Sequence, residues 1–275
     1  VGPEVGAAGL RGIVGVDVWG WDAFDKSEKA VTKLSVNINK VATLRNARGG
    51  DNPNVLLAAE RAQAWGAQGI TVHPRPDERH VTYNDARLLK RVITTEYNIE
   101  GNPIPRFMEL VLSIRPQQVT LVPDAEDAIT SNAGWDTVAH GEYLRGVVQA
   151  LKEQGIRVSI FVDPEVRMVE GAAKAGADRV ELYTEPYAKG FAKDRAAAVA
   201  PYVAAARRAR ELGLMVNAGH DLDLTNLSFI VESIPWIAEV SIGHALICDA
   251  LYLGLERSIA SYLDAIRAGA GAAAE

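Results

Sequence analysis

Short apolar runs alternate with longer stretches of helical period along this chain, and the alternation repeats about eight times. Candidate strands are Leu34–Ile38, Gly69–His73, Glu96–Glu100, Gln118–Val122, Arg157–Val162, Arg179–Thr184, Leu214–Gly219 and Glu239–Gly243. Candidate helices lie between them at Asn54–Trp65, Asn84–Ile93, Ile104–Ile114, His140–Gln154, Pro164–Ala175, Lys193–Leu212, Leu224–Ile234 and Ala245–Ala268. Gly66, Gly155 and Gly176 each follow a helix and precede a strand, the place for a left-handed cap. This order predicts a (β/α)8 TIM barrel with additional helices, as a single domain over residues 31–275. A doubly wound open sheet is the alternative.

Period two within the strands sharpens the picture. Leu34, Val36 and Ile38 share one face, while Ser35, Asn37 and Asn39 share the other. Glu96, Asn98 and Glu100 likewise oppose Tyr97 and Ile99, and Glu181 and Tyr183 oppose Val180 and Leu182. Helices cover the apolar face of a barrel strand, so the polar set is expected to point inward. A charge there is costly unless it is paired or functional.

The chain has 275 residues, 48% hydrophobic and 23% charged, which suits one large domain. A net charge of −6 provides no basic field for nucleic acid, so an anionic ligand must be held by local cations and backbone N–H groups. The single cysteine, Cys248, excludes an internal disulfide and sits in an apolar run that reads as buried. No apolar run approaches the roughly 18 residues of a membrane span, and Asp17, Asp22 and Asp25 interrupt any secretory pattern. A cytoplasmic protein without a membrane partner is expected. Residues 1–30 show no convincing period and are read as an upstream extension, a start-site artefact; a lid or an oligomer contact is the other reading. The Ala/Gly tail is expected to fray.

Candidate chemistry gathers at strand ends. His73 ends one strand and is followed by Arg75, Arg79 and His80, a set suited to a phosphate or carboxylate. A histidine in a purely structural role is the bland alternative. Asn37, Asn39 and Lys40 lead into Arg45, Arg48, Gly49 and Gly50, which read either as a phosphate loop or as a surface turn. Glu100, inward near its strand end, suits proton shuttling; an ion pair with a barrel arginine is the alternative. Glu181, deeper in its strand, suits electrostatic support. Gly219-His220-Asp221 and Gly243-His244 close the ring with glycines that admit an anion and with His220, which can donate or accept a proton. No HxxxH or HxH spacing points to a metal, and no GxSxG elbow to a serine hydrolase.

With these residues in view, the chain resembles the pyridoxine 5′-phosphate synthase family of vitamin B6 biosynthesis. The resemblance rests on VNINKVATLRNARGG (36–50), GITVHPRPDERH (69–80), YNIEGNP (97–103), QVTLVPD (118–124), ITSNAGWD (129–136), VSIFVDP (158–164), VELYTEPYA (180–188), LGLMVNAGHDL (212–222) and VSIGHALICDALYLGL (240–255). It implies a barrel that assembles as a homo-octamer and needs no cofactor. The implied reaction condenses two phosphorylated small molecules, 1-deoxy-D-xylulose 5-phosphate and 3-amino-2-oxopropyl phosphate, releasing phosphate and water. It further implies His73 and Glu100 as proton acceptors, His220 as proton donor and Glu181 as a transition-state stabiliser. The aminoketone phosphate would meet Asn37, Arg48, Gly243 and His244. The sugar phosphate would meet Asn39, Lys40, Arg75, His80 and Thr130. Asp221 is carried only as a weak substrate ligand through its backbone N–H. Two departures stand out: the family reads Asp-His at Asn39-Lys40, and Gly at Asp221. Both bear on affinity more than on reaction type. A single-substrate aldolase or isomerase barrel using Lys40, and a non-catalytic phosphometabolite binder, are the rival functions.

Overall fold

The computed structural model describes residues 32–124 and 133–273, so the segment 1–30 and Thr130 lie outside the described residues. Eight parallel strands close into a barrel in sequence order. They are β1 (Lys33–Asn37), β2 (Gly69–Val72), β3 (Glu96–Gly101), β4 (Gln118–Leu121), β5 (Arg157–Val162), β6 (Arg179–Tyr183), β7 (Met215–Gly219) and β8 (Ile237–Ile242). Around them run α1 (Asn39–Asn46), α2 (Val55–Ala64), α3 (Tyr83–Leu89), α4 (Pro105–Ile114), α5 (Gly141–Lys152), α6 (Val166–Ala175), α7 (Glu185–Phe191), α8 (Arg195–Glu211), α9 (Leu227–Ser233), α10 (His244–Leu253) and α11 (Leu255–Ala272). Among the described residues, no helix is long and apolar enough to cross a membrane.

The alternation within the strands decides what faces what. Leu34, Val36, Ile70, Val72, Ile99, Val119, Ile160, Val180, Val216 and Val240 are fully buried in the layer between sheet and helices. Each such side chain contributes roughly 1.5–3 kcal/mol of transfer free energy. The opposite set fills the barrel with polar groups. Ser35 Oγ and Thr71 Oγ1 lie 2.7 Å apart, and Thr120 Oγ1 donates to Asn98 Oδ1 at 3.1 Å. Nearer the N-terminal ends, Arg179 donates to Asn217 Oδ1 at 3.2 Å and lies 3.5 Å from Glu96 and 3.9 Å from Glu239. Arg157 bonds Glu96 directly, and its Nε donates to Gln118 Oε1 at 2.9 Å. Every one of these interior charges has an opposite partner.

The structure differs from the sequence-based expectation in five places. Helix α1 begins at Asn39, so Asn39 and Lys40 occupy a first helical turn rather than an extended loop. Arg45, a candidate phosphate ligand, is instead buried and gives both Nη atoms to Asp85 at 2.7 Å. The same carboxylate closes the capping box of α3 with Thr82, so the pair fastens α1 to α3. The short helix α7 follows β6 directly, and the long final helix breaks into α10 and α11 at Gly254, whose φ of +81° suits glycine. Cys248 is exposed on α10 rather than buried, because Leu246 and Ile247 supply the inward face.

Candidate active site

The sequence-derived residues that fall within the described chain gather, apart from exposed Arg48 beyond α1, on the strands of one barrel or just past their C-terminal ends, the end where barrels of this kind carry their chemistry. Asn37 closes β1, and its Oδ1 accepts from the Asn39 N–H at 3.1 Å. Asn39 Oδ1 in turn accepts from the His73 N–H at 2.9 Å, tying the α1 corner to the end of β2. Lys40 and Arg48 are exposed. Gly243 stands beside Asn37, where an added Cβ would come within 3.0 Å of the Asn37 side chain. His244 is exposed at the first position of α10, with the Cys248 sulfur 3.6 Å from its Nε2. Arg75 is buried and holds Asp124 at 2.9 Å, so in this state its guanidinium is committed to a carboxylate.

Two histidines are neutral at physiological pH. Burial first, and the charges of Arg75 and Arg79 second, push His73 down to about 3. Burial, together with His73, Arg75 and Lys40, pushes His80 to about 3 as well. The two rings stand 6.3 Å apart at a steep angle. His80 Nδ1 accepts from the Val81 N–H at 3.0 Å, which leaves its Nε2 as the other ring atom to meet a ligand.

Two carboxyl groups are shifted the other way. Desolvation raises Glu100 well above the carboxylate range, and the nearby charges of Glu181, Asp124 and Glu239 raise it further, against a hydrogen bond from Ser241. Desolvation likewise raises Glu181 to about 7, opposed by Thr120. Neighbouring like charges in a buried site share a proton more easily than they both ionise. His73 Nδ1 lies 3.9 Å from Glu100 Oε2, and with one group neutral and the other favouring its proton, this contact is no ion pair.

Four strands round the ring, His220 follows β7 in a left-handed conformation, φ +84°, and Asp221 repeats it at +56°. Non-glycine residues persist there only where their surroundings over-determine them. The His220 ring meets the Tyr183 ring edge-on at 5.1 Å, and its Nδ1 is 3.5 Å from Asp221 Oδ1. Gly219, expected from the sequence to admit an anion, instead makes room for Glu181, whose Oε1 fills the space that a Cβ would take. Sequence reasoning does not single out Ser241, Thr120, Tyr183 or Asp124 as site residues. Ser241 and Thr120 stand on inward-facing strand positions that period two identifies; the Arg75–Asp124 pairing has no local signal.

Closed parallel barrel and titratable C-terminal rim together define a (β/α)8-barrel protein of the kind that does its chemistry at the strand ends. The chain belongs to the family described as pyridoxal phosphate biosynthesis protein PdxJ, whose profile matches residues 34–268. A relative from Christiangramia forsetii, named pyridoxine 5′-phosphate synthase, is 62% identical over 86% of this chain and 100% of its own length. Another of that name, from Cytophaga hutchinsonii, is 62% identical over 85% of this chain and 98% of its own. Solved structures resemble it in fold alone. A phosphoribosylanthranilate isomerase from Thermotoga maritima superposes with a TM-score of 0.53 at 13% identity, over 86% of this chain and 98% of that one. A thiamine phosphate pyrophosphorylase from Pyrococcus furiosus gives 0.54 at 10% identity, over 88% and 98%.

Proposed function

We propose that this chain is a pyridoxine 5′-phosphate synthase, acting on phosphorylated small molecules and forming the pyridoxine ring by acid–base catalysis. Its substrates are 1-deoxy-D-xylulose 5-phosphate and 3-amino-2-oxopropyl phosphate. The observation that carries this reading is the two buried, raised carboxyls Glu100 and Glu181, with neutral His73 3.9 Å from Glu100 and His220 at the corner after β7, the strand next to that of Glu181. Imine formation, enolisation, phosphate loss and ring closure are successive proton transfers, which need groups that exchange protons near neutrality. Neutral His73 is competent as a base. Glu100 becomes one when the cationic substrate amine arrives and favours its carboxylate, and Glu181 stabilises the positive charge that develops. His220 returns the proton to the departing oxygen.

Both phosphates need local donors, since the net charge of −6 offers none at long range. The aminoketone phosphate sits between Asn37, Arg48 and the Gly243-His244 turn, where the N-terminus of the ten-residue helix α10 adds N–H groups. The sugar phosphate meets Asn39, Lys40, Arg75, His80 and Thr130, and Arg75 exchanges its Asp124 partner for the phosphate. The Asp221 N–H is a weaker substrate contact. Holding both substrates together removes much of the entropic cost of joining them. The same reading places the chain in the cytoplasm, with residues 31–275 as its functional domain. It assembles as an octamer, to which exposed Leu251 and Tyr252 on α10 offer apolar surface.

The test is an assay of the purified chain with both substrates, following pyridoxine 5′-phosphate by absorbance and mass. Product that disappears in Glu100→Gln is the expected result. Binding of both phosphates without any product sinks the synthase reading in favour of a binding barrel.

A further inference from the structure

The left-handed corner after β7 is held by side chains that have no role in the reading above. Thr184, fully buried at the end of β6, directs its hydroxyl to the Gly219 carbonyl at 2.7 Å and to the His220 carbonyl beside it. Its own N–H also donates to the Gly219 carbonyl, at 3.0 Å. Asn226, 2% exposed, donates from Nδ2 to the next carbonyl, that of Asp221, at 3.2 Å. Three consecutive carbonyls are thereby fixed by two buried polar side chains.

The placement is informative because both residues forgo their ordinary local use. Thr184 is the N-cap of α7 and Asn226 the N-cap of α9, yet neither side chain makes the cap hydrogen bond. Their donors are turned onto the 219–221 backbone, while Asn226 Oδ1 accepts from the Asp223 N–H at 3.0 Å. A buried tyrosine frame steadies them: Tyr187 Oη donates to the Asn226 carbonyl at 2.6 Å, and Tyr202 Oη to the Tyr183 carbonyl at 2.8 Å. The Tyr187 N–H in turn donates to Tyr202 Oη at 3.2 Å.

We infer that Thr184, seconded by Asn226, is a positioning residue for His220: its hydroxyl holds the corner in the left-handed region and so sets the direction in which the imidazole meets the substrate. The inference rests on the catalytic role proposed for His220. Without the hydroxyl, the corner relaxes toward the conformations that L side chains prefer, and the ring swings away from the reacting atoms. Binding of the phosphates, which rests chiefly on other rim residues and only weakly on the Asp221 N–H, is largely left in place.

The experiment compares wild type, Thr184→Val and Thr184→Ser by steady-state kinetics and by crystal structures of the substrate-free proteins. Thr184→Val should lose about tenfold to hundredfold in kcat, the cost of a catalytic group displaced by about an ångström, with KM for both substrates within about twofold. His220 should leave positive φ in that variant, and Thr184→Ser should restore both the conformation and most of the turnover. If the valine methyl prevents folding, Thr184→Ala removes the same hydroxyl without crowding the carbonyls. A valine or alanine variant whose corner keeps its positive φ overturns the inference whatever its turnover, as does an effect confined to KM. Should wild type itself make no product, the synthase reading falls, and the backbone conformation of the variants still decides the role of Thr184.

Discussion

In the tier of the barrel nearest the strand N-termini, Glu96 and Glu239 face Arg157 and Arg179, whereas nearer the C-terminal ends Glu100 feels the like charge of Glu181. Residue types and burial are much the same at both ends. Pairing differs: among the described residues, neither Glu100 nor Glu181 forms an ion pair with a lysine or arginine. Opposite charges at the first end offset part of the desolvation of one another, and although burial still raises Glu239 and lowers Arg157 and Arg179, the pairing makes that tier a structural plug. Like charges at the second end leave the desolvation unanswered, so Glu181 is raised to about 7 and Glu100 well above the carboxylate range. Burying a carboxylate is thus a structural or a reactive device according to its nearest neighbour.

The comparison breaks most readily at Glu100. Glu100→Gln should cut kcat by roughly 10²- to 10⁴-fold while leaving the thermal unfolding temperature unchanged or raised, because a group that is costly to ionise has been replaced by a neutral one. At the other end, Arg179→Met should destabilise by roughly 3–5 kcal/mol in chemical denaturation, since Glu239 is left buried without its nearest arginine. Adding Glu239→Leu to that variant should recover part of the loss. If Arg179→Met instead abolished kcat without loss of stability, the division between the two ends would be wrong.

Smaller effects sharpen the picture. Gly219→Ala pushes a Cβ into the Glu181 carboxylate, whose flexible end can move aside, so a loss of about tenfold in kcat with little change in stability is expected by kinetics and melting. Glu181→Gln removes one of the charges that raise Glu100, so the acid limb of the kcat profile should move to lower pH. The same variant tests stability linkage. Glu181 ionises at about 7 in the folded chain, above its unfolded value, so stability is full below the unfolded pKa and is lost as pH rises through 7. Glu181→Gln escapes that loss and should be more stable than wild type at pH 8 by roughly 1–3 kcal/mol, with the difference vanishing near pH 4.

Much of the barrel and its rim is legible in the residues alone. The inward polar face of β3 can be read from Glu96, Asn98 and Glu100 alternating with Tyr97 and Ile99, because a strand has a period of two and helices cover only one face of a barrel. The rim positions of His73, Glu100, His220 and Gly243 follow from strand ends. Helix α7 escapes such a reading because it is only seven residues long, Glu185–Phe191, too short to show a helical period. Arg45 misleads because its partner Asp85 lies forty residues away, and a guanidinium beside a Gly pair looks the same whether it awaits a phosphate or already holds a carboxylate.

By itself, the sequence determined the barrel, its inward polar face, the family and the ring of strand-end residues, since periodicity and local motifs are properties of neighbouring residues. Only the tertiary structure decided which carboxylates are paired and which repel, which arginines are already committed, and how Thr184 and Asn226 hold His220. Those outcomes depend on distances between segments far apart in the chain. Electrostatic and hydrogen-bond energies change over an ångström or two, a scale that spacing along a sequence does not encode.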